Sequence, residues 1–257
     1  MRFLVMLRLA ARSVGRNARR SLLTAAAMVI GLALLIFSRS LTEGSHEQWI
    51  ESAVRMGTGH VAIQAPDFLE TLKLDHRLEA GAVARSIRAV EDLATTESVE
   101  WTGRLAVNGL ASSSASALPV RVEGVDPLRE AAFTDLDDKL QEGRYLQPDD
   151  RLHAYVGVEF ASRLDLGVGD RFVVTAQSAT GEVEGQLLRV AGTYRTGMKE
   201  VDEGLIQVPI ETAREWLHAP GAITTLAVVL ESSRVTGRAV RALDATLGGN
   251  GDIEVLG

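Results

Sequence analysis

The feature of this sequence that most limits its possible folds is an uncharged run of 18 residues near the N-terminus, SLLTAAAMVIGLALLIFS. As a helix, this run from Ser21 to Ser38 would be about 27 Å long, close to the roughly 30 Å hydrocarbon core of a membrane. A cleaved secretion signal is the alternative, but its apolar part spans about 7–15 residues and precedes a small-residue cleavage site, which is missing here. The sequence therefore predicts a retained transmembrane helix over residues 21–41.

The arginines before this run predict its orientation. Residues 1–20 contain six arginines and no acidic residue, so the positive-inside rule places the N-terminus in the cytoplasm and the part after Leu41 outside, in the bacterial periplasm. Apolar residues at steps of three and four predict that residues 1–20 form an amphipathic helix along the inner leaflet; an unstructured flank is the alternative. A step-of-four pattern predicts a helical stalk over residues 42–56.

The charge of the remaining chain limits its partners. The whole sequence has 27 basic and 34 acidic residues, which leaves 21 basic and 34 acidic residues after the first 20 positions, a balance of −13. An acidic body argues against nucleic acid as a partner, whereas the basic head suits anionic membrane lipid. The sequence has no cysteine, which excludes a disulfide scaffold, a thiol nucleophile and a cysteine-ligated metal.

The part beyond the stalk has the pattern of an α+β domain. A strand–helix–strand pattern over residues 60–107, with alternating and then helical spacing of apolar residues, returns over residues 226–255. The recurrence predicts one subdomain built from residues 57–125 and 221–257. Residues 126–220 are then predicted to be an inserted α+β subdomain.

The motifs of common enzymes are absent. The chain has no G-x-x-x-x-G-K-[ST] phosphate loop, so it is not itself a Walker-type ATPase, and it has neither G-x-S-x-G nor H-E-x-x-H. Asp135, Asp137 and Asp138 lack the glycine and glutamate of a calcium loop and are interpreted as a solvated acidic turn. The histidines are dispersed: His46, His60, His76, His153 and His218. We therefore predict no enzyme activity, no catalytic residue, no cofactor and no metal, and the substrate-binding residues stay unknown.

Several segments carry a resemblance to a known family. They are the basic head with its apolar run, GTGHVAIQAPDF from Gly57, PVRVEGVDP from Pro119, GVEFASRLDLGVGDRFVV from Gly157 and GTYRTGMKEVDEGLIQVP from Gly192. They resemble, in the same order, segments of FtsX-like, MacB-type ABC transporter permeases, including the lipoprotein-releasing permeases. The last segment is the most specific of these matches.

The resemblance implies a fold, partners and a function. It implies a porter-like βαβ subdomain, split by the inserted α+β subdomain, on an N-terminal transmembrane helix in the inner membrane. A cytoplasmic ABC ATPase subunit and a second permease subunit, identical or different, are the implied partners. ATP-driven movement would be transmitted to the periplasm to export or extract a lipoprotein, lipid, peptide or drug.

Two departures from the family pattern lead to further expectations. Family permeases have three transmembrane helices after the periplasmic domain, so a chain that ends at Gly257 is expected to be the N-terminal portion of such a permease. The predicted hairpin Ala176–Gly185 is shorter than the extended hook of the permease that hands lipoproteins to a chaperone. The alternative function is that of a single-pass, membrane-anchored periplasmic module for sensing or scaffolding.

Overall fold

The computed structural model divides the chain into two units, Met1–Ser52 and Ala53–Gly257. It describes residues 19, 22, 23, 26–34, 59–95, 97–231 and 235–257. The predicted stalk over 42–56, nearly all of the basic segment and about half of the predicted transmembrane helix lie outside these residues. In the first unit, residues 26–34 are helical and their large apolar side chains are exposed. Among the described residues, no helix combines the length and apolarity that crossing a membrane requires.

The second unit mixes strands and helices. Its described strands are β1 (Val61–Gln64), β2 (Val99–Ser112), β3 (Ala117–Val125), β4 (Leu140–Gly143), β5 (His153–Gly157), β6 (Arg171–Gln177), β7 (Val183–Tyr194), β8 (Leu205–Pro209), β9 (Thr225–Leu230) and β10 (Glu254–Leu256). Its described helices are α1 (Phe68–Thr71), α2 (Ala80–Ala94), α3 (Pro127–Phe133), α4 (Val158–Arg163), α5 (Lys199–Gly204), α6 (Ile210–Trp216) and α7 (Thr236–Leu247). These elements confirm the α+β class predicted from the sequence.

The two strand–helix–strand segments interleave in one antiparallel sheet. Its strand order is β10–β1–β9–β2, so each segment places one strand between the two strands of the other. This is the ferredoxin-like arrangement of two βαβ units. Alternating residues such as Ile63 and Val228 face helices α2 and α7, and Ala239, Leu243 and Leu247 of α7 recur at steps of four on its buried face.

The second part of β2, together with strands that lie between β2 and β9 in the chain, builds a closed ring. Hydrogen bonding runs β2–β3–β8–β5–β7–β6 and returns from β6 to β2. The buried interior of this ring contains Val107, Val122, Phe172, Val174 and Ile206. The short turn between β6 and β7 confirms the predicted hairpin at Ala176–Gly185. A closed ring leaves no free edge on its six strands, which limits pairing with other chains.

Strand β2 belongs to both sheets. Its first part, Val99–Arg104, pairs with β9, and its second part, Leu105–Ser112, pairs with β3 and β6. The whole of β2 is one unbroken strand of 14 residues. Strand β3 pairs within the ring. The pairing partner of β2 changes from β9 to β3 between residues 104 and 105. The subdomain boundaries predicted at 125/126 and 220/221 stay a prediction.

We predict that Gly157→Ala destabilises the second unit. A Cβ at Gly157, which ends β5 and precedes α4, would collide with the backbone carbonyl oxygen of Asp202. Because a backbone atom cannot rotate away, we expect the free energy of unfolding to fall by about 1–3 kcal/mol. Urea unfolding of residues 53–257, followed by circular dichroism, measures the loss.

Gly185→Ala is the matched control for this change. A Cβ at Gly185 would lie 3.6 Å from Val173 Cγ1, an ordinary van der Waals contact, on strand β7. We expect its unfolding free energy to stay within about 0.5 kcal/mol of the native value. Equal unfolding midpoints for the two variants would contradict the close packing of Gly157 against Asp202.

Candidate functional site

A buried polar network lies where β2 passes from one sheet to the other. The Glu130 carboxylate accepts hydrogen bonds from Thr102 Oγ1 at 2.9 Å and from Arg104 Nε at 3.1 Å, and Arg104 Nη2 lies 2.8 Å from Glu130 Oε1. Gln207 Nε2 of β8 also donates to Glu130 Oε1, at 3.3 Å, and Tyr145 Oη donates to Gln207 Oε1 at 3.1 Å. The network thus connects the ferredoxin-like sheet, helix α3 and the ring.

The local sequence explains how Glu130 reaches this position. Asp126 caps helix α3, because its carboxylate accepts from the backbone amides of Leu128 at 3.0 Å and Arg129 at 3.3 Å. Pro127 occupies the first turn, where its missing amide hydrogen costs no bond. The side of α3 that carries Glu130 and Phe133 then packs on β2 and β9.

The network is almost fully removed from water. Arg104 is 4% exposed and Glu130 is 0% exposed. Burial lowers the pKa of Arg104, but the charges of Glu130 and Glu123 and the hydrogen bond to Glu130 outweigh it, so the net pKa shift is upward. The same burial, together with the charge of Glu130, raises the pKa of Tyr145. Arg104 therefore stays charged, and its charge is matched by carboxylates.

A groove of about 550 Å³ opens beside this network. Helix α1 and the residue that follows it form one wall through Leu69 and Leu72, and the α5–β8 segment forms another through Val201 and Leu205. Polar side chains from β2 and β3 also line it: Arg104, Asn108, Arg121 and Glu123. Such a mixture of apolar walls and a charged floor fits an extended or amphipathic segment, and it includes no nucleophile paired with a base.

One row of polar residues crosses the sheet at the edge of this groove. Gln64 on β1 is in register with Thr225 on β9, and Thr225 is in register with Arg104 on β2. Thr225 and Arg104 both line the groove. The amide nitrogen and oxygen of the buried Gln64 side chain have no hydrogen-bond partner, which is costly for buried polar atoms.

The residues considered for chemistry in the sequence do not meet at this groove. His76 Nδ1 lies 3.0 Å from the Pro66 carbonyl oxygen, His218 Nε2 lies 2.8 Å from Glu184 Oε1, and His60 Nδ1 accepts from the Leu230 amide at 3.1 Å. His46 is outside the described residues. In the part of the chain that the structure describes, no group of three or more His, Asp or Glu side chains is arranged to hold a metal ion.

The acidic turn also lies apart from the groove. Asp137 and Asp138 belong to a short 3₁₀ helix before β4. Partial burial and the neighbouring Asp138 carboxylate raise the pKa of Asp137.

Sequence reasoning missed the network and the groove. Thr102 and Arg104 alternate with the apolar residues of β2, which is the pattern of a solvent-facing side. Only the later helix α3 covers that side, and no spacing in the sequence links Arg104 to Glu130. The one local sign was Asp126-Pro127, which is typical of a helix start.

The chain is similar to a known family and to solved structures. Residues 21–246 match the family model described as the MacB-like periplasmic core domain. The chain is similar to the extracellular domain of the noncanonic ABC-type transporter YknZ from Gram-positive bacteria, with a TM-score of 0.51 and 15% identity over 77% of this chain and 99% of that one. No curated protein matches it significantly.

A second solved structure gives the same result. The periplasmic region of MacB from Actinobacillus actinomycetemcomitans has a TM-score of 0.51 and 13% identity, over 76% of this chain and 87% of that one. At these identities the two likenesses show the shared fold alone.

We predict that Glu130→Gln destabilises the second unit strongly. The amide keeps the shape of the side chain but leaves the buried Arg104 without its nearest countercharge. Breaking a buried ion pair from one side costs about 3–5 kcal/mol, so we expect a loss of this size in the free energy of unfolding, measured with urea.

The control for this prediction is Glu211→Gln. Glu211 pairs with Arg214 at 2.7 Å, three residues away on helix α6, and its own side chain is exposed. We expect a change of about 0–1 kcal/mol, because solvent screens such pairs. If Glu130→Gln were as mild as this control, the buried pair would not hold the junction together.

Proposed function

This chain belongs to the family of MacB-like periplasmic core domains, and from that membership we propose that it is the N-terminal portion of a permease subunit of an ATP-driven ABC transporter. The proposed work is mechanical: ATP hydrolysis in a partner moves the periplasmic domain, which exports or extracts a lipoprotein, lipid, peptide or drug. In this proposal residues 1–20 lie on the cytoplasmic side, residues 21–41 cross the inner membrane, and residues 42–56 form the stalk.

The observation that carries this proposal is the position of the first and last strands. Strands β1 and β10 are antiparallel neighbours, with Ala62 opposite Leu256 and Gln64 opposite Glu254. The start of β1 at Val61 and the end of β10 at Leu256 therefore lie at the same end of the sheet. In the proposed permease, that end of the sheet faces the membrane.

The composition of the site supports a mechanical role over a chemical one. The groove has no paired nucleophile and base, and the chain has no phosphate loop for ATP. We therefore propose a cytoplasmic ABC ATPase subunit, a second permease subunit and membrane lipid as partners. The short β6–β7 hairpin favours a substrate path without handover to a soluble chaperone.

A single-pass sensing or scaffolding module is the alternative function. It would use the same anchored domain but would need no ATPase. Purification of the full-length protein from its native membrane distinguishes the two, because only the permease would retain an ABC ATPase at a fixed stoichiometry.

We predict that a reporter fused after Gly257 is exposed to the periplasm. The bias of six arginines before the uncharged run places the following domain outside the cytoplasm. A periplasm-active phosphatase fusion should be active, and a fluorescent protein that matures only in the cytoplasm should be dark at the same position. The reverse pattern would show that the orientation is wrong.

We also predict that the external domain moves as a rigid body with nucleotide state. The chain has no native cysteine, so cysteines introduced at the exposed Glu182 and Arg241 take spin labels selectively. In the full permease complex, the distance from Glu182→Cys to a label on the second permease subunit should change when ATP is trapped.

The distance between labels at Glu182 and Arg241 within one chain is the control, and it should stay constant. An intersubunit distance that does not respond to ATP, in a complex that still hydrolyses it, would refute the mechanical proposal.

A further inference from the structure

The outer surface of the strand ring has a row of basic side chains at one place. Arg171 on β6 is directly opposite Arg189 on β7, and Arg189 is in turn in register with His153 on β5. Arg151 lies two residues before His153 and lines the same cavity of about 340 Å³. Three arginines thus line one cavity in a part of the chain whose net charge is negative.

This arrangement has a cost that the surrounding structure does not offset. Like charges directly opposite each other on neighbouring strands destabilise a sheet. Among the described residues, Arg151, Arg171 and Arg189 have no salt bridge to a carboxylate, and Arg189 Nη1 instead donates to the Gly169 carbonyl oxygen at 3.1 Å. The guanidinium groups are exposed and therefore ready to bind an anion.

The carboxylate beside His153, that of Asp150, is paired with another arginine. Asp150 Oδ2 and Oδ1 accept hydrogen bonds from Arg144 Nη1 at 2.6 Å and Nη2 at 2.7 Å, and Oδ2 also accepts from the Gln147 amide at 2.8 Å. The pairing with Arg144 lowers the pKa of Asp150. Asp150 lies 3.3 Å from His153 Nδ1, but its charge is already balanced by the Arg144 guanidinium.

Apolar side chains lie immediately beside the cavity. Leu152 is 47% exposed and has a left-handed backbone with φ of 54°, which is rare for a bulky residue. Leu187, two residues before Arg189 on the same side of β7, is 46% exposed and is opposite the exposed Val173. A ligand with a charged end and an apolar part would contact both kinds of surface.

We propose that this cavity binds a phosphoester amphiphile, with its phosphate on Arg151, Arg171 and Arg189 and its apolar part on Leu152 and Leu187. A guanidinium group can donate two parallel hydrogen bonds to phosphate oxygens. The cavity is large enough for a phosphate and several carbon atoms. The carrier is either a lipid headgroup or a small free phosphoester. The site needs no ATPase and no second subunit, so its test is independent of the proposed transport function.

The test is calorimetric titration of the full-length chain in phosphatidylcholine nanodiscs, with empty nanodiscs as the blank. The probes are n-butyl phosphate, inorganic phosphate and dihexanoyl phosphatidylglycerol below its micelle concentration. We expect n-butyl phosphate to bind about tenfold more tightly than inorganic phosphate, as contact of roughly two methylene groups with the leucines would give. Tighter binding of the phosphatidylglycerol than of n-butyl phosphate assigns the carrier to lipid, and the reverse order assigns it to a free phosphoester.

Arginine variants test where the probe binds. Arg171→Gln and Arg189→Gln should each weaken n-butyl phosphate binding by about tenfold or more, the effect of losing one charge-assisted hydrogen bond. Arg163→Gln is the matched control, because Arg163 is an exposed arginine paired with Glu203 at 3.1 Å outside the cavity, and its variant should bind normally. Equal weakening of binding in all three variants would overturn the site. The site would also be overturned if no probe bound at 10 mM, a concentration that corresponds to about 2.7 kcal/mol of binding free energy.

Stability separates binding from a structural role. Because Arg171 and Arg189 repel each other, Arg171→Gln should leave the unfolding midpoint unchanged or raise it while affinity falls. A lower midpoint together with lost binding would show that Arg171 holds the sheet together, and inorganic phosphate bound as tightly as n-butyl phosphate would rule out the amphiphilic ligand.

Discussion

The buried ion pair between Arg104 and Glu130 joins the two halves of the second unit. Strand β2 crosses between the sheets next to Arg104, at the point where its pairing partner changes from β9 to β3. A strand without lateral support could bend there. The Glu130 carboxylate, which also accepts from Thr102 and Gln207, ties both sides of the crossing to helix α3. Since an unmatched charge in this position is costly, alternative packings of α3 are disfavoured.

The sequence predicts best those elements that have one buried face. Strand β1 and helix α7 were predicted because apolar residues recur at their own period, and the recurrence of the strand–helix–strand pattern gave the α+β class. Strand β5, His153–Gly157, has four consecutive buried residues and no alternation, so it was not recognised. The ring depends on pairing between β2 and β6, about 65 residues apart, and no local pattern encodes that contact.

The candidate site was hidden from the sequence for a related reason. Arg104, Glu130 and Gln207 come from three elements, and each has an ordinary polar position in its own segment. Arg171 and Arg189 likewise are unremarkable in sequence, and only the register of β6 and β7 makes them a like-charged pair.

The topology determines how a load on the chain ends would spread through this domain. Force that enters at β1 and β10 acts along strands, and antiparallel hydrogen bonds perpendicular to the strands resist such shear together rather than one at a time. The load passes through β9 to the first part of β2, and the second part of β2 transfers it to the ring. The ring has no free edge among its six strands, so it moves without opening, and the load between the ring and the ferredoxin-like sheet passes through the crossing at residues 104 and 105. The buried charges of Arg104 and Glu130 lie at that crossing, where a rigid connection between the two halves is needed most.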